Sequence, residues 1–457
     1  MSNGYIVLSD GYTIKGSKNE QVLLNLIDGA RYDLEPEQFD FLSLCDGSFR
    51  LAEILTQYDE ESQAVIHDFI NNLKEIGAIC FVDKKTCRKL HGNLVSIPRL
   101  QAVHLEATSR CNMRCAHCYQ GELYPVSDNL TLEEIRRLIE EMEKMQVENI
   151  SISGGEPFLD KNTFDIVRCV EEHDIRVLSF FTNGLLVGEK AIERILACRS
   201  KPTMFVSLDA ITPAGMRFRG FDGATGKKVL DRILENIRNL VANKIRVVIN
   251  TVMNRCNITT LRKMYNIIRG LNVNSWRIGF PKRTGFFKGQ NEFELPWETM
   301  INSSFNLLKH HLGEGRPFHL QMEYLYREEL FENFELLPDD AFVCDYEGRR
   351  ESCCVKPNGD VVHCAYCADF PLGNIRQERL EKIWYSSAMR KVKEIRIKDV
   401  EGCKNCELRP YCATGCRINA YFLHGDFYHA KDDYACKAVK FFVHEVIPLL
   451  KKEKIIK

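Results

Sequence analysis

The stretch from residue 99 to about 280 most constrains what this chain can fold into. Strand-like LQAVHLEA, ISISGGEP, VLSFFTNG, TMFVSLDA, RVVINTVMN and SWRIGFP alternate there with amphipathic helix patterns, from TLEEIRRLIEEMEKM to TLRKMYNIIRG. The first helix opens on Thr131 with Glu134 three residues on, a capping box. Such alternation implies parallel strands joined by right-handed crossovers. These units curl into a full or partial barrel whose chemistry lies at the C-terminal ends of the strands. The four unusual loop sequences sit at such ends: CNMRCAHC after the first strand, GGEP after the second, TNG after the third and SLDA after the fourth. Their common placement makes one site of four weak signals.

Composition narrows the chemistry. Lysine plus arginine (62) nearly cancels aspartate plus glutamate (63), which argues against nucleic acid or an anionic membrane as main partner. The N-terminus lacks a basic start followed by an apolar core, and no uncharged apolar run reaches about 18 residues, so a cytoplasmic protein without a membrane span is expected. Nineteen cysteines are many for such a chain, and in a reducing compartment they suit metal binding better than disulfides. Ten lie between Cys344 and Cys436, and three, Cys111, Cys115 and Cys118, lie in SRCNMRCAHCYQGE. The scattered Cys45, Cys80, Cys87, Cys169, Cys198 and Cys256 read as small core residues or inert thiols. A structural zinc site wants four ligands. Three thiolates on a 4Fe-4S cluster would leave one iron able to bind a small molecule.

Cys111-x3-Cys115-x2-Cys118 followed by Tyr119 resembles the cluster motif of radical S-adenosylmethionine (SAM) enzymes. The resemblance implies that SAM chelates the unique iron and is cleaved reductively to a 5'-deoxyadenosyl radical. Gly154, Gly155, Glu156 and Pro157 match the motif that receives the SAM amino group. Ser207 and Asp209 match positions near ribose or carboxylate, Arg219 resembles a carboxylate-contacting arginine, and Asn183 and Asn250 are weaker matches. No general base stands out. His104, Glu106, Tyr366 and Asp369 are candidates by location, while Arg110, Arg114 and His117 lie in the cluster loop, where they could tune its potential.

Cys403-x2-Cys406-x5-Cys412-x3-Cys416, with Cys436 further on, resembles the SPASM domain of peptide-modifying radical SAM enzymes; Cys344, Cys353/Cys354 and PNGDVVHC ending in Cys364 look like its first half. This resemblance implies two auxiliary 4Fe-4S clusters, hence three in all. One would be held by Cys344, one of Cys353 and Cys354, Cys364 and Cys416, and the other by Cys403, Cys406, Cys412 and Cys436. The adjacent Cys353 and Cys354, and Cys367 close behind Cys364, leave the first set open. Ala365 stands where sulfatase-maturing relatives carry an acidic residue, which argues against that branch.

Residues 1–91 show a hairpin signal in GYIVLSDGYTI, three helix patterns and a closing strand AICFV: a winged-helix-like module. Glu60, Glu61, Asp68 and Glu75 on its third helix disfavour duplex DNA. The module resembles the leader-recognition domain of maturases of ribosomally made peptides, similar to the pyrroloquinoline quinone chaperone, which hold a leader as an added strand. The expected organisation is this module, a linker at 92–98, a partial (β/α)6 barrel at 99–330 and a SPASM domain at 331–457. The implied activity is crosslinking of a precursor peptide, as in sactipeptide or ranthipeptide maturation, with a thioether first and carbon–carbon or carbon–oxygen bonds as alternatives. An external donor of the flavodoxin or ferredoxin type would supply electrons. Rival readings are an enzyme of small-cofactor synthesis and a non-catalytic iron–sulfur sensor.

Overall fold

The computed structural model describes residues 4–90, 94–96, 99–121, 128–289, 291–327, 336–338, 340–344, 349–412 and 415–456. Of the expected linker only 94–96 lie among them, and the expected boundary at 330/331 lies outside them.

The N-terminal part has strands β1 (Tyr5–Leu8), β2 (Tyr12–Ser17), β3 (Glu20–Asn25), β4 (Arg31–Asp33), β5 (Asp46–Arg50) and β6 (Ile79–Val82), with helices α1 (Pro36–Ser43), α2 (Leu51–Leu55) and α3 (Glu60–Glu75). Asp59 caps α3 by accepting from the Ser62 N–H at 2.8 Å, and Ile66, Ile70 and Leu73 bury its inner face. The expected hairpin does not form. β1 lies between β5 and β6 in one sheet, while β2 pairs with β3 in another, ordered β2-β3-β4. A two-residue hairpin at Asp10–Gly11 would need left-handed backbone there, and neither residue adopts it. Both edges of β1 are already taken, so β2 turns away and makes its hairpin with β3 instead.

The central sheet holds seven parallel strands in chain order: β7 (Ala102–Thr108), β8 (Asn149–Gly154), β9 (Arg176–Thr182), β10 (Thr203–Ser207), β11 (Val247–Val252), β12 (Ser275–Gly279) and β13 (His319–Met322). Between them run α4 (Leu132–Lys144), α5 (Thr163–Glu172), α6 (Glu189–Leu196), α7 (Gly223–Ala242), α8 (Leu261–Gly270) and α9 (Trp297–Gly313). Helix α4 opens on the Thr131/Glu134 capping box and buries Ile135, Leu138, Ile139 and Met142 in one core with Ile150 and Ile152 of β8. Each such side chain contributes roughly 1.5–3 kcal/mol. The six β/α units are as the alternation predicts, and β13 adds a seventh strand.

The C-terminal part contributes more regular structure than its composition suggests. Strand β15 (Ser352–Val355) adds in parallel to β7, followed by antiparallel β16 (Asp360–Val362) and β17 (Gly373–Asn374); β14 (Tyr326–Arg327) closes the opposite edge. Helices at Leu380–Trp384, Ser387–Lys393 and Arg417–His424 precede the final helical run. The ends of this 11-stranded sheet do not pair with each other among the described residues, so the barrel is open. Its curl is visible in contacts between strands that are not neighbours: His104 on β7 meets Phe181 on β9 at 5.4 Å, and Arg277 on β12 lies 5.4 Å from the Phe205 ring centre on β10. A concave face favours such contacts, because it brings together side chains from strands that are two steps of about 4.8 Å apart.

The N-terminal part is fastened to the barrel end opposite the cysteine loop. Asp174, just ahead of β9, accepts from Arg88 and Arg199 at 3.1 Å each. Arg88 also donates to the Leu8, Ser9 and Tyr12 carbonyls, and Arg176 donates to the Asp28 carbonyl. Glu148, ahead of β8, pairs with Arg99 and Arg31.

Candidate active site

The cysteine loop leaves β7 and is held on three sides. GGEP lies directly beneath it: the Gly155 N–H donates to the Thr108 carbonyl at 2.6 Å and the Glu156 N–H to the Arg110 carbonyl at 2.8 Å. Gly154 has φ 146°, and a Cβ there would lie 2.3 Å from the Thr108 oxygen, so only glycine permits this approach. On another side the Ala116 N–H donates to the Phe218 carbonyl at 2.9 Å, and the His117 ring stacks on Phe218 at 4.1 Å. On the third, Gly121 and Gly285 meet face to face, and the Phe286 N–H donates to the Cys118 carbonyl at 3.0 Å.

Glu156 is fully buried and spends its carboxylate on the next loop. It accepts from the Thr182 hydroxyl at 2.7 Å, the Asn183 N–H at 2.8 Å and the Phe158 N–H at 3.2 Å. Burial raises its pKa to about 7 despite those donors. Asn183 in turn donates to Asn112 at 2.7 Å and approaches the Cys111 sulfur at 3.7 Å, so TNG and GGEP together brace the cysteine loop. Pro157 begins the short turn that follows. Asp209 is buried; it accepts from Arg219 at 2.6 Å and from the Val252 N–H at 2.7 Å, and it lies 3.6 Å from His117. Burial lowers the His117 pKa to about 4, so its ring is neutral. Ser207 and Asn250 share one register row facing the lumen, half-buried, with Arg277 beside them.

The donor set fits an anionic sulfur-bound cluster. Burial pushes the Cys115 thiol up to about 12 and raises Cys111 and Cys118, so these groups resist ionising without a metal. Arg219 is buried beside them; desolvation opposes its charge, but the neighbouring Cys115 and Asp209 outweigh that and raise its pKa. Asn112 Nδ2, His117 Nδ1 and Arg219 Nε are buried nitrogens without a hydrogen-bond partner among the described residues. Three such polar atoms around three thiols are costly unless a bound group uses them.

Sequence reasoning left Glu106 as a possible base, but the structure gives it another task. It is fully buried and accepts from Tyr119 at 3.0 Å, Gln120 at 2.6 Å and Lys356 at 2.8 Å. Lys356 also donates to the Ala365 carbonyl at 3.1 Å, next to Cys364. One buried ion pair therefore ties the cysteine loop to the C-terminal cysteines. The sequence signal for it was a charged residue at an inward position of a strand. Tyr119 turns toward Glu106 and Tyr366. His104 is hydrogen-bonded to Ser153 at 2.6 Å, and Asp369 pairs with exposed Lys288 at 3.0 Å.

The C-terminal cysteines form two neighbourhoods. Burial raises the Cys403 and Cys436 thiols, with Cys406 adding to the effect at Cys403 and Cys403 adding to it at Cys436, and Cys412 closes the turn after Arg409. Cys344 lies 4.0 Å from the Gly415 carbonyl, next to Cys416. The Cys416 N–H donates at 2.9 Å to buried Asp432, which also accepts from Tyr324 at 3.2 Å and caps the helix carrying Cys436. Lys282, paired with Glu323, donates to Tyr324 and so joins this region to the ends of β12 and β13.

Residues 105–265 match the radical SAM superfamily, and 344–407 match the SPASM iron-sulfur cluster-binding domain. The chain is a radical SAM protein with a SPASM domain, and 4Fe-4S clusters and SAM are its implied cofactors. Among curated relatives, an AdoMet-dependent heme synthase of Methanosarcina barkeri is 26% identical over 73% of this chain and 95% of its own length. The Bacillus subtilis antilisterial bacteriocin subtilosin biosynthesis protein AlbA is 23% identical over 90% of this chain and 89% of its own. In fold, Streptococcus suis SuiB bound to its precursor peptide SuiA is similar at a TM-score of 0.69, with 14% identity over 94% of this chain and 99% of that one. No helix among the described residues is long and apolar enough to cross a membrane.

Proposed function

We propose that this protein is a peptide maturase that forms a crosslink, a thioether first of all, in a ribosomally made precursor whose leader is bound by residues 1–91. The observation that carries this reading is the N-terminal unit of two small sheets and three helices fastened to the barrel. The likenesses to AlbA and to SuiB, which extend over 90% and 94% of the chain, support it.

Bound at Cys111, Cys115 and Cys118, a 4Fe-4S cluster with SAM would supply a 5'-deoxyadenosyl radical, and clusters at the C-terminal cysteines would supply an acceptor for the second electron. The chain's own residues do the rest. Gly154 and Gly155 bring backbone against the cysteine loop, Ser207 and Asp209 stand at the end of β10, and Arg219 offers charge to a carboxylate. The lumen wall, with Phe181 stacked on Phe205 at 4.6 Å, gives a substrate side chain an apolar face to lie against. Loss of one hydrogen atom from a substrate carbon, then of one proton from a thiol and one electron, leaves a C–S bond.

Anaerobically reconstituted protein with SAM, a strong reductant and the precursor encoded beside its gene is expected to yield 5'-deoxyadenosine and a peptide lighter by two hydrogens. Deoxyadenosine without peptide product, together with turnover of an iron porphyrin, would favour a second reading as a cofactor-building enzyme. The heme synthase relative, matched over 95% of its length, supports that alternative.

A further inference from the structure

The adjacent Cys353 and Cys354 sit on β15, where side chains alternate between faces. Cys353 stands beside Val103 of β7 and joins, with Val355, the core beneath the barrel helices. Its charged neighbour there is Lys393, which donates to the Ser352 carbonyl. Cys354 stands beside His104 on the opposite face, and its sulfur lies 3.8 Å from the Glu106 carboxylate. Cys354 shares a buried cluster with Cys364, Cys367 and Cys416 and has Cys364 within electrostatic reach, but its sulfur is engaged at Glu106.

Cys367 ends a C-x2-C turn closed by its own N–H donating to the Cys364 carbonyl at 2.8 Å, and the two thiols are hydrogen-bonded. It is buried in one apolar cluster with Cys364 and Cys416 and lies within electrostatic reach of Cys416 and Cys344. Cys344 holds a left-handed backbone, φ 58°, in contact with the residue before Cys416. Non-glycine residues adopt that conformation rarely, and where they do the strain often aims a functional group.

We infer that Cys344, Cys364, Cys367 and Cys416 are the four ligands of the first auxiliary iron–sulfur cluster, with Cys353 and Cys354 outside the set. This rests on the SPASM reading above and deepens it. A cluster with four protein thiolates has no open iron, so a substrate thiol would react in the lumen without being bound at that metal. Only the Cys111/Cys115/Cys118 site then exposes an iron, and Cys354 remains a thiol in the wall beside Glu106.

The test is iron and sulfide content with EPR of the reduced full chain, none of which needs a substrate. Wild type is expected to hold about twelve irons, Cys367→Ala about eight, and Cys353→Ala and Cys354→Ala about twelve. Should Cys367→Ala fail to fold, Cys367→Ser keeps the shape and an oxygen ligand, and a shifted EPR signal of one auxiliary cluster is expected. Loss of about four irons in folded Cys353→Ala or Cys354→Ala, or an unchanged count and spectrum in both Cys367 variants, overturns the assignment. A wild-type chain with about four irons overturns it together with the auxiliary-cluster reading, whatever the peptide assay shows.

Discussion

The two cysteine regions solve the same problem in opposite ways. The loop after β7 draws three thiols from one short segment, 111 to 118, and its neighbours GGEP, TNG and Phe218 shape it from below and beside. The C-terminal region gathers thiols from Cys344 to Cys436 and is held by its own Asp432 and Lys356 and by Tyr324 and Lys282 from the barrel. A short loop on a rigid strand end loses little entropy when it closes on a metal, whereas long connections lose more and gain more from being clipped. The first region is therefore pre-shaped for chemistry, and the second relies more on its metal for order.

The sharpest way to break this comparison is to remove one thiol from each. Cys115→Ala is expected to abolish 5'-deoxyadenosine formation. Cys412→Ala should retain uncoupled SAM cleavage and lose crosslinked product. Equal loss in both, measured by chromatography on folded protein, would mean that the C-terminal metals feed the first site.

The next effect concerns the strap between them. Lys356→Met leaves the Glu106 carboxylate buried without its cation, which is expected to cost about 3–5 kcal/mol. Chemical denaturation should show a lower midpoint, and hydrogen exchange should rise in both cysteine regions together. If only one responds, the pair is not what couples them.

The smallest effect lies at the far end of the barrel, where neither region reaches. Lys15 is fully buried, its Nζ has no hydrogen-bond partner among the described residues, and burial lowers its pKa from 10.5 to about 8. A lysine whose pKa falls on folding penalises the folded state at pH below about 8, and stability is regained as pH rises toward 10.5. That drop is on the order of 3 kcal/mol. Lys15→Met is therefore expected to melt higher at pH 7, with an advantage that shrinks by pH 10; equal gains at both values would rule out burial of charge as the cause.

Much of the first region was legible in the chain. Cysteine spacing, the GGEP and TNG sequences and the strand–helix alternation are local patterns, and hydrophobic periodicity placed each loop at the same end of one sheet. The role of Glu106 was not legible, because its cation comes from Lys356, 250 residues away. Nor was the fate of Asp10–Gly11: the turn signal is real, but strand pairing depends on which edges are free, and β5 and β6 had taken both edges of β1.

By itself, then, the sequence determined the parallel barrel, a three-thiol loop at its C-terminal end and a cysteine-rich region beyond. Only the tertiary structure decided which neighbours those thiols have. On β15 a shift of one residue reverses the face a side chain meets, and pairing with β7 sets Cys353 toward the helices and Cys354 toward Glu106. The partner strand fixes that choice, and no spacing along the chain records it.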